Sequence, residues 1–304
     1  MSQYQAPVKD MMFVLDQLIG LDDFSKLKDC EGINNEFVES VLTSAAEIGS
    51  EVIAPTNVDG DRYGVLLKNG VVEVPPGYQE AYDEYIQGGW TGLGFKPEFG
   101  GQGLPAIIAL PVNEIMMAAN FSWSHLALLS QAAIRALDTH ANDELKNLYL
   151  PKMVSGKFSG TMVLTEPQAG SDLSALNTTA EPEQQHYLIT GQKIFITWGD
   201  HELTDNIIHM VLARLPDAPE GVKGISLFLV PKYLVNADGS LGKRNRVETV
   251  SLEHKLGIHG CATCVMNYDA AEGYLVGQPN QGLACMFTMM NDACLLYTSD
   301  AADE

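Results

Sequence analysis

Apolar positions recur at helical spacing through the first half of the chain and at strand spacing through the second. Near the N-terminus, Val8, Met12, Phe13, Leu15 and Leu18 fall three or four apart in the main, and Gly20 closes the segment. After a loop containing Gly32, Asn34 or Asn35 is placed to cap the next helix. That helix carries Phe37, Val41, Ala45, Ile48 and Val52 on one side, and Pro55 is expected to stop it. Residues 57–76 read as loop, with Gly60, Gly64, Gly70 and the pair Pro75-Pro76. A helical pattern returns over 78–150. Tyr82, Tyr85 and Ile86 share one face, Gly100, Gly101 and Gly103 form a tight loop ending at Pro105, and apolar segments run over 107–119 and 124–137. Asn142 is a candidate cap for a helix over 144–153, with Pro151 kinking or shortening it and Gly156 just past its end.

Beyond Gly160 the period changes. Short runs rich in β-branched residues cover 161–165, 186–190, 193–197, 207–214, 225–230, 247–252 and 263–267, and Gly, Asp, Asn and Pro separate them. Thr190-Gly191, between two such runs, has the form of a tight hairpin turn. Helices first and strands afterwards imply an α+β chain of adjoining domains, not alternating βαβ units. A helical pattern starts again over 281–290.

Composition narrows the possible functions. With 46% hydrophobic and 19% charged residues, the 304-residue chain is globular rather than disordered. Acidic residues outnumber basic ones by 39 to 18, and the net charge of -21 repels phosphate backbones, so no nucleic-acid partner is expected. The five cysteines are an odd, sparse set, as in a protein that keeps its thiols reduced in the cytoplasm. No basic segment leads into an apolar run at the N-terminus, and no stretch reaches membrane-spanning length, so neither a signal peptide nor a membrane span is expected.

Most chemical motifs are absent. Gly92 and Gly94 are followed by Pro97 where GxGxxG needs glycine, and Ala237 occupies the first glycine position of a P-loop. His201-Glu202 does not continue as HExxH, His254 and His259 lack a third ligand, and Cys261 and Cys264 form a CxxC without a second pair, so no metal is expected. One stretch remains: residues 161–172, Thr-Met-Val-Leu-Thr-Glu-Pro-Gln-Ala-Gly-Ser-Asp. It reads as a strand entering a turn, with Pro167 presetting the turn and Gly170 permitting a positive φ or the close approach of a ligand. Thr165, Ser171 and Asp172 offer side-chain oxygens there; a plain polar turn is the alternative reading of the same residues.

This stretch resembles the first signature of the acyl-CoA dehydrogenase family, Thr-Glu-Pro-x-Ala-Gly-Ser-Asp. The match is complete at Thr165, Glu166, Pro167, Ala169, Gly170, Ser171 and Asp172, and it departs at Val163, where the family usually has a smaller residue or cysteine. Residues 191–199, Gly-Gln-Lys-Ile-Phe-Ile-Thr-Trp-Gly, resemble the family's second flavin segment. The glycine-rich stretches 88–94 and 100–105 resemble the loops of its N-terminal helical domain, and 253–260 and 273–277 resemble the exit from its β-domain. Residues 4–18 resemble the N-terminal extension of a bacterial branch that includes dehydrogenases for 3-methylthiopropionyl-CoA and other acyl-CoAs.

The resemblance covers about residues 1–293, in family order, and implies a layout. An extension (1–35) precedes an N-terminal helical domain (36–158), a middle β-barrel-like domain (159–272) and the start of a C-terminal four-helix domain (273–293). Residues 294–304 have neither the expected arginine nor the family's periodicity and are expected to be extraneous. The resemblance further implies FAD lying between the middle and C-terminal domains. Met162, Val163, Leu164, Thr165 and Ser171 would line it on one side, and Phe195, Ile196 and Thr197 on the other. Ser171 would also touch the CoA portion of the substrate. The implied reaction removes hydrogen from the α and β carbons of an acyl-CoA thioester. Its electrons pass to an acceptor such as an electron-transfer flavoprotein, and the full-length enzyme is a homo-oligomer. The family's catalytic base is a glutamate of the C-terminal domain with no matching position here, so no catalytic residue is assigned and an inactive fragment is one expected outcome. An acyl-CoA oxidase and a flavoprotein with a binding role are the competing readings.

Overall fold

The computed structural model describes residues 4–28, 30 and 32–300. Helix α1 (Val8–Phe13) runs into a π-helical turn (Val14–Ile19) that ends at Gly20, whose φ of 84° suits glycine. A short α2 (Leu21–Phe24) leads to α3 (Asn35–Ile48), capped by Asn34, whose side chain accepts from the Phe37 N–H. The buried face of α3 is Val38, Leu42 and Ala45, while Phe37 is 38% exposed. The face expected around Phe37 is therefore rotated by about one residue.

Pro55 does not end the helical stretch. A π-helical turn (Gly49–Ile53) carries the chain to it, and Pro55 opens α4 (Pro55–Tyr63), where a missing N–H costs no intrahelical bond. Much of the expected loop over 57–76 is thus helix, and the rest holds a hairpin, β1 (Leu66–Lys68) and β2 (Val71–Glu73). Asn69 and Gly70, with φ of 54° and 78°, make its turn. Helix α5 (Tyr78–Gln87) buries Tyr78, Ala81, Tyr82 and Tyr85. Helices α6 (Ala106–Ala119), α7 (Phe121–His140) and α8 (Asp143–Val154) complete the helical region, and Asn120 and Asn142 cap the last two. Pro151 sits inside α8 near its end, where the helix absorbs it.

The β-region begins with β3 (Phe158–Val163). Then come β4 (Thr179–Glu183), β5 (His186–Thr197), β6 (Asn206–Arg214), β7 (Ile225–Pro231), β8 (Tyr233–Val235), β9 (Leu241–Arg244), β10 (Val247–Leu252) and β11 (Thr263–Val276). Strand β11 pairs with both β5 and β7, β7 with β6, β6 with β4, and β4 with β5. The circuit returns on itself, so the domain is barrel-like, with β3 added beside β6 and β10 beside β11.

Two sequence expectations change here. The hairpin turn lies at Gln184-Gln185 between β4 and β5, not at Thr190-Gly191, which sits inside β5. Gly191 serves close approach instead: a Cβ there would stand 2.4 Å from Thr178 Oγ1. The boundary expected after residue 272 falls inside β11, because pairing with β7 holds Tyr274, Leu275 and Val276 in the sheet. Helix α9 (Gly282–Asp300) follows and continues without a break past residue 293, where an extraneous tail was expected to begin; residues 301–304 of that tail lie outside the described residues.

Helix α7 joins the two regions. Gly160 lets β3 press against it, since a Cβ there would be 2.5 Å from that of Ala133, and the Gly160 N–H donates to Ser130 Oγ at 3.0 Å. Trp198, fully buried, donates its indole N–H to Ser122 O at 3.2 Å. Helix α9 is held by the Arg135–Asp292 ion pair at 2.8 Å and by His140 against Thr288 at 2.7 Å.

Candidate functional site

The exit of β3 and the last turn of β5 open onto one cleft of about 510 Å³. The β-region supplies Met162, Leu164, Thr165, Gly170, Ser171, Asp172, Leu173, Phe195, Ile196, Thr197 and Val222; α7 supplies Leu129, and α9 supplies Leu283, Phe287 and Met290. Seven of the eight residues singled out in the sequence line this space. Val163 does not: strand alternation turns its side chain into the core, where it is fully buried beside a paired strand. The resemblance placed the cofactor against the C-terminal domain that α9 begins, but it named no residue of α9 and did not anticipate Leu129 of α7, since nothing in a local motif shows which side chains of a distant helix will close a cleft.

The turn after β3 is tight. Glu166 and Ala169 exchange backbone hydrogen bonds at 2.9 and 3.0 Å around Pro167. Gly170 has no positive φ, so of the two readings of this glycine the turn conformation is not used; a Cβ there would have Thr165 Cγ2 as its nearest atom at 3.8 Å, which leaves open space on the cleft side. Asp172 caps the following turn by accepting from the Ser174 N–H at 2.8 Å. Ser171 is exposed at the cleft.

On the opposite side β5 bulges. Lys193 pairs with Met266 and Ile196 with Cys264, so Ile194 and Phe195 together face the single residue Val265. Phe195 takes φ 60° and Trp198 takes φ 51°, a conformation that costs a non-glycine residue roughly 1–2 kcal/mol. Phe195 is left 57% exposed in the cleft, whereas Trp198 is buried and anchors the segment.

Beneath the cleft the two segments are tied together. The Ile194 N–H donates to Thr165 O at 2.9 Å, and Thr161 Oγ1 donates to Thr197 O at 2.6 Å. Glu166 is buried and accepts from the Asn177 N–H (2.7 Å), the Thr178 N–H (3.0 Å), Thr178 Oγ1 (2.5 Å) and Lys193 Nζ (2.9 Å). Burial pushes its carboxyl up, but Lys193 and these donors outweigh that and hold it below the usual carboxylate range. Burial in turn pulls the Lys193 ammonium down to about 8, against the opposing pull of Glu166.

The other polar candidates take structural places. His201 is buried between Ser159 and the Leu203 N–H, and His259 pairs with Asp61. Cys261 and Cys264 are free thiols in the core, pushed up to about 12 by burial. Among the described residues no helix is long and apolar enough to cross a membrane.

Comparison with known proteins bears on the geometry. The acyl-CoA dehydrogenase N-terminal domain profile matches residues 38–157, and the acyl-CoA dehydrogenase middle domain profile matches residues 161–271. The chain belongs to the acyl-CoA dehydrogenase family. It is 46% identical to 3-methylmercaptopropionyl-CoA dehydrogenase of Ruegeria pomeroyi, a match covering 95% of this chain and 50% of that protein. To a butyryl-CoA dehydrogenase of Syntrophomonas wolfei it is 34% identical, again over 95% of this chain and 50% of the other. The chain thus spans about half the length of the curated relatives it matches. The solved butyryl-CoA dehydrogenase of Megasphaera elsdenii shares the fold, with a TM-score of 0.72 at 22% identity over 89% of this chain and 66% of that one.

Proposed function

We propose that this chain forms one wall of the flavin site of an acyl-CoA dehydrogenase, and that the whole protein converts an acyl-CoA thioester to a 2-enoyl-CoA using FAD. The observation that carries this reading is the single cleft joining Thr165 to Thr197, with Phe195 projecting into it. The cleft suits a flat heteroaromatic ring: its lining is mostly apolar, with the hydroxyl-bearing Thr165, Ser171 and Thr197 among the lining residues. When bound, FAD supplies the acceptor for the hydride that leaves the β-carbon. Thr165 and Thr197 would hold the ring by hydrogen bonds to its polar edge, and Phe195 would pack against it and exclude water. Ser171, at the open end, is placed for the CoA portion of the substrate.

We assign no catalytic base within this chain. Both oxygens of the Glu166 carboxylate are engaged below the cleft, and Asp172 caps a turn. The base, the remaining enclosure and the site for an electron acceptor such as an electron-transfer flavoprotein then lie in further sequence, consistent with a match to about half of the relatives. A cytoplasmic location and a homo-oligomeric whole protein complete the proposal.

The test is to produce the protein from its intact gene, record its visible spectrum and titrate it with a panel of acyl-CoA thioesters. Bleaching of the flavin band on thioester addition is expected, and slow reoxidation by air separates a dehydrogenase from an oxidase. Phe195→Gly is expected to weaken FAD binding roughly tenfold, by loss of one aromatic face. Stability of the apoprotein should change by less than about 1 kcal/mol, because relief of the positive φ offsets the added freedom of glycine in the unfolded chain. Purified protein that never takes up flavin would refute the reading.

A further inference from the structure

One buried ion pair lies directly behind the cleft and touches both of its β-segments. The Lys193 side chain is fully covered and that of Glu166 is 3% exposed. From β5, Lys193 Nζ reaches across to Leu164 O at 2.8 Å as well as to Glu166 at 2.9 Å. The neighbouring carbonyl, Thr165 O, is taken by the Ile194 N–H at 2.9 Å. Both peptide planes around Thr165 are therefore held from β5. In a trans peptide the N–H points opposite to the carbonyl of the preceding residue. Fixing Leu164 O toward Lys193 thus turns the Thr165 N–H away from Lys193, and that N–H donates no hydrogen bond among the described residues.

We propose that Lys193 is a positioning residue for the flavin-facing turn, acting through Leu164 O to hold Thr165 toward the cleft, with Glu166 as its fixed counter-charge. The inference rests on the flavin reading above and goes beyond it by naming what sets the turn. Packing alone does not need this pair, because an apolar replacement of similar volume often stabilises a core as well as a buried ion pair does. What an apolar side chain cannot do is hold Leu164 O. At neutral pH the ammonium keeps its donors, since its depressed value remains near 8.

The charge and the carbonyl bond separate experimentally. Lys193→Met leaves a buried carboxylate without its counter-ion. Adding Glu166→Gln removes that unpaired charge but still leaves Leu164 O unheld. In the protein from its intact gene, Lys193→Met is expected to lower thermal stability and weaken FAD binding roughly tenfold or more. The double variant is expected to regain most of the stability while FAD affinity stays at least about tenfold weaker and the visible flavin band stays shifted from wild type. Where the single variant does not accumulate as folded protein, the double variant carries the test. A double variant with the wild-type dissociation constant and spectrum would overturn the positioning role and leave the flavin reading intact. Wild-type protein that binds no flavin would overturn both.

Discussion

Asp200 offers a test of how the segment after Thr197 is anchored. It lies three residues beyond Thr197 and is 5% exposed, beside Lys232, which is 6% exposed, at 2.7 Å. Its carboxylate also accepts from the His201 N–H at 3.0 Å and from Thr249 Oγ1 at 2.8 Å. Lys232 further donates to His201 O at 3.0 Å and to the half-solvated Glu202 at 3.1 Å. Asp200→Ala therefore strands a nearly buried ammonium with one partial counter-ion, leaves the buried His201 N–H unpaired and leaves the Thr249 hydroxyl with only the weak acceptor Met266 Sδ at 3.6 Å. Breaking one partner of such a pair costs about 3–5 kcal/mol. The low end applies here because Glu202 retains some compensation. With a urea slope on the order of 3 kcal/mol/M, the midpoint should fall by roughly 1 M. Asp200→Asn keeps the shape and two of the acceptor bonds, so its cost should be less than half as large. Combining Asp200→Asn with Lys232→Met should recover part of the loss, since the unpaired charge is then gone. Matched urea unfolding of these four proteins and of Lys232→Met alone measures the three losses and the coupling between the two sites. A loss below about 1 kcal/mol for Asp200→Ala, or strict additivity in the double variant, would refute the view that the pair acts as a unit.

Acid should destabilise the protein well before its carboxylates titrate. His201 and His209 are fully buried and neutral, with burial pulling them down to about 3 and about 4. The unfolded chain protonates both near pH 6.5 while the fold does not, so stability falls by about 1.4 kcal/mol per pH unit for each histidine from about 6.5 down to those values. Unfolding midpoints measured from pH 7 to pH 5 should show this slope, and a flat profile would contradict it. Gly191→Ala would push a methyl to 2.4 Å from Thr178 Oγ1, the hydroxyl that donates to Glu166. A loss of about 1–3 kcal/mol in urea unfolding is expected, whereas a neutral outcome would mean that β4 can retreat.

Much of the site was legible because its residues sit in two short contiguous stretches. Strand alternation places Met162 and Leu164 on one face, and the following turn delivers Thr165 and Ser171, so a local pattern carries half of the cleft. The helical first region and the strand-rich second region follow from the apolar period, and the caps at Asn34 and Asn142 from their side-chain chemistry. Turn and boundary positions were less secure. Thr190-Gly191 has turn composition but stays in a strand, because β11 pairs along both halves of β5 and Gly191 is required for contact with Thr178. Pro55 begins a helix because its missing N–H costs nothing in a first turn, and its local sequence does not distinguish that from a helix stop. The tertiary structure alone decided which residues of α7 and α9 supply the far wall and that Lys193 reaches Leu164 O. Each is a contact between residues far apart in the chain. Such contacts depend on how twisted strands and packed helices meet, and no local period encodes that.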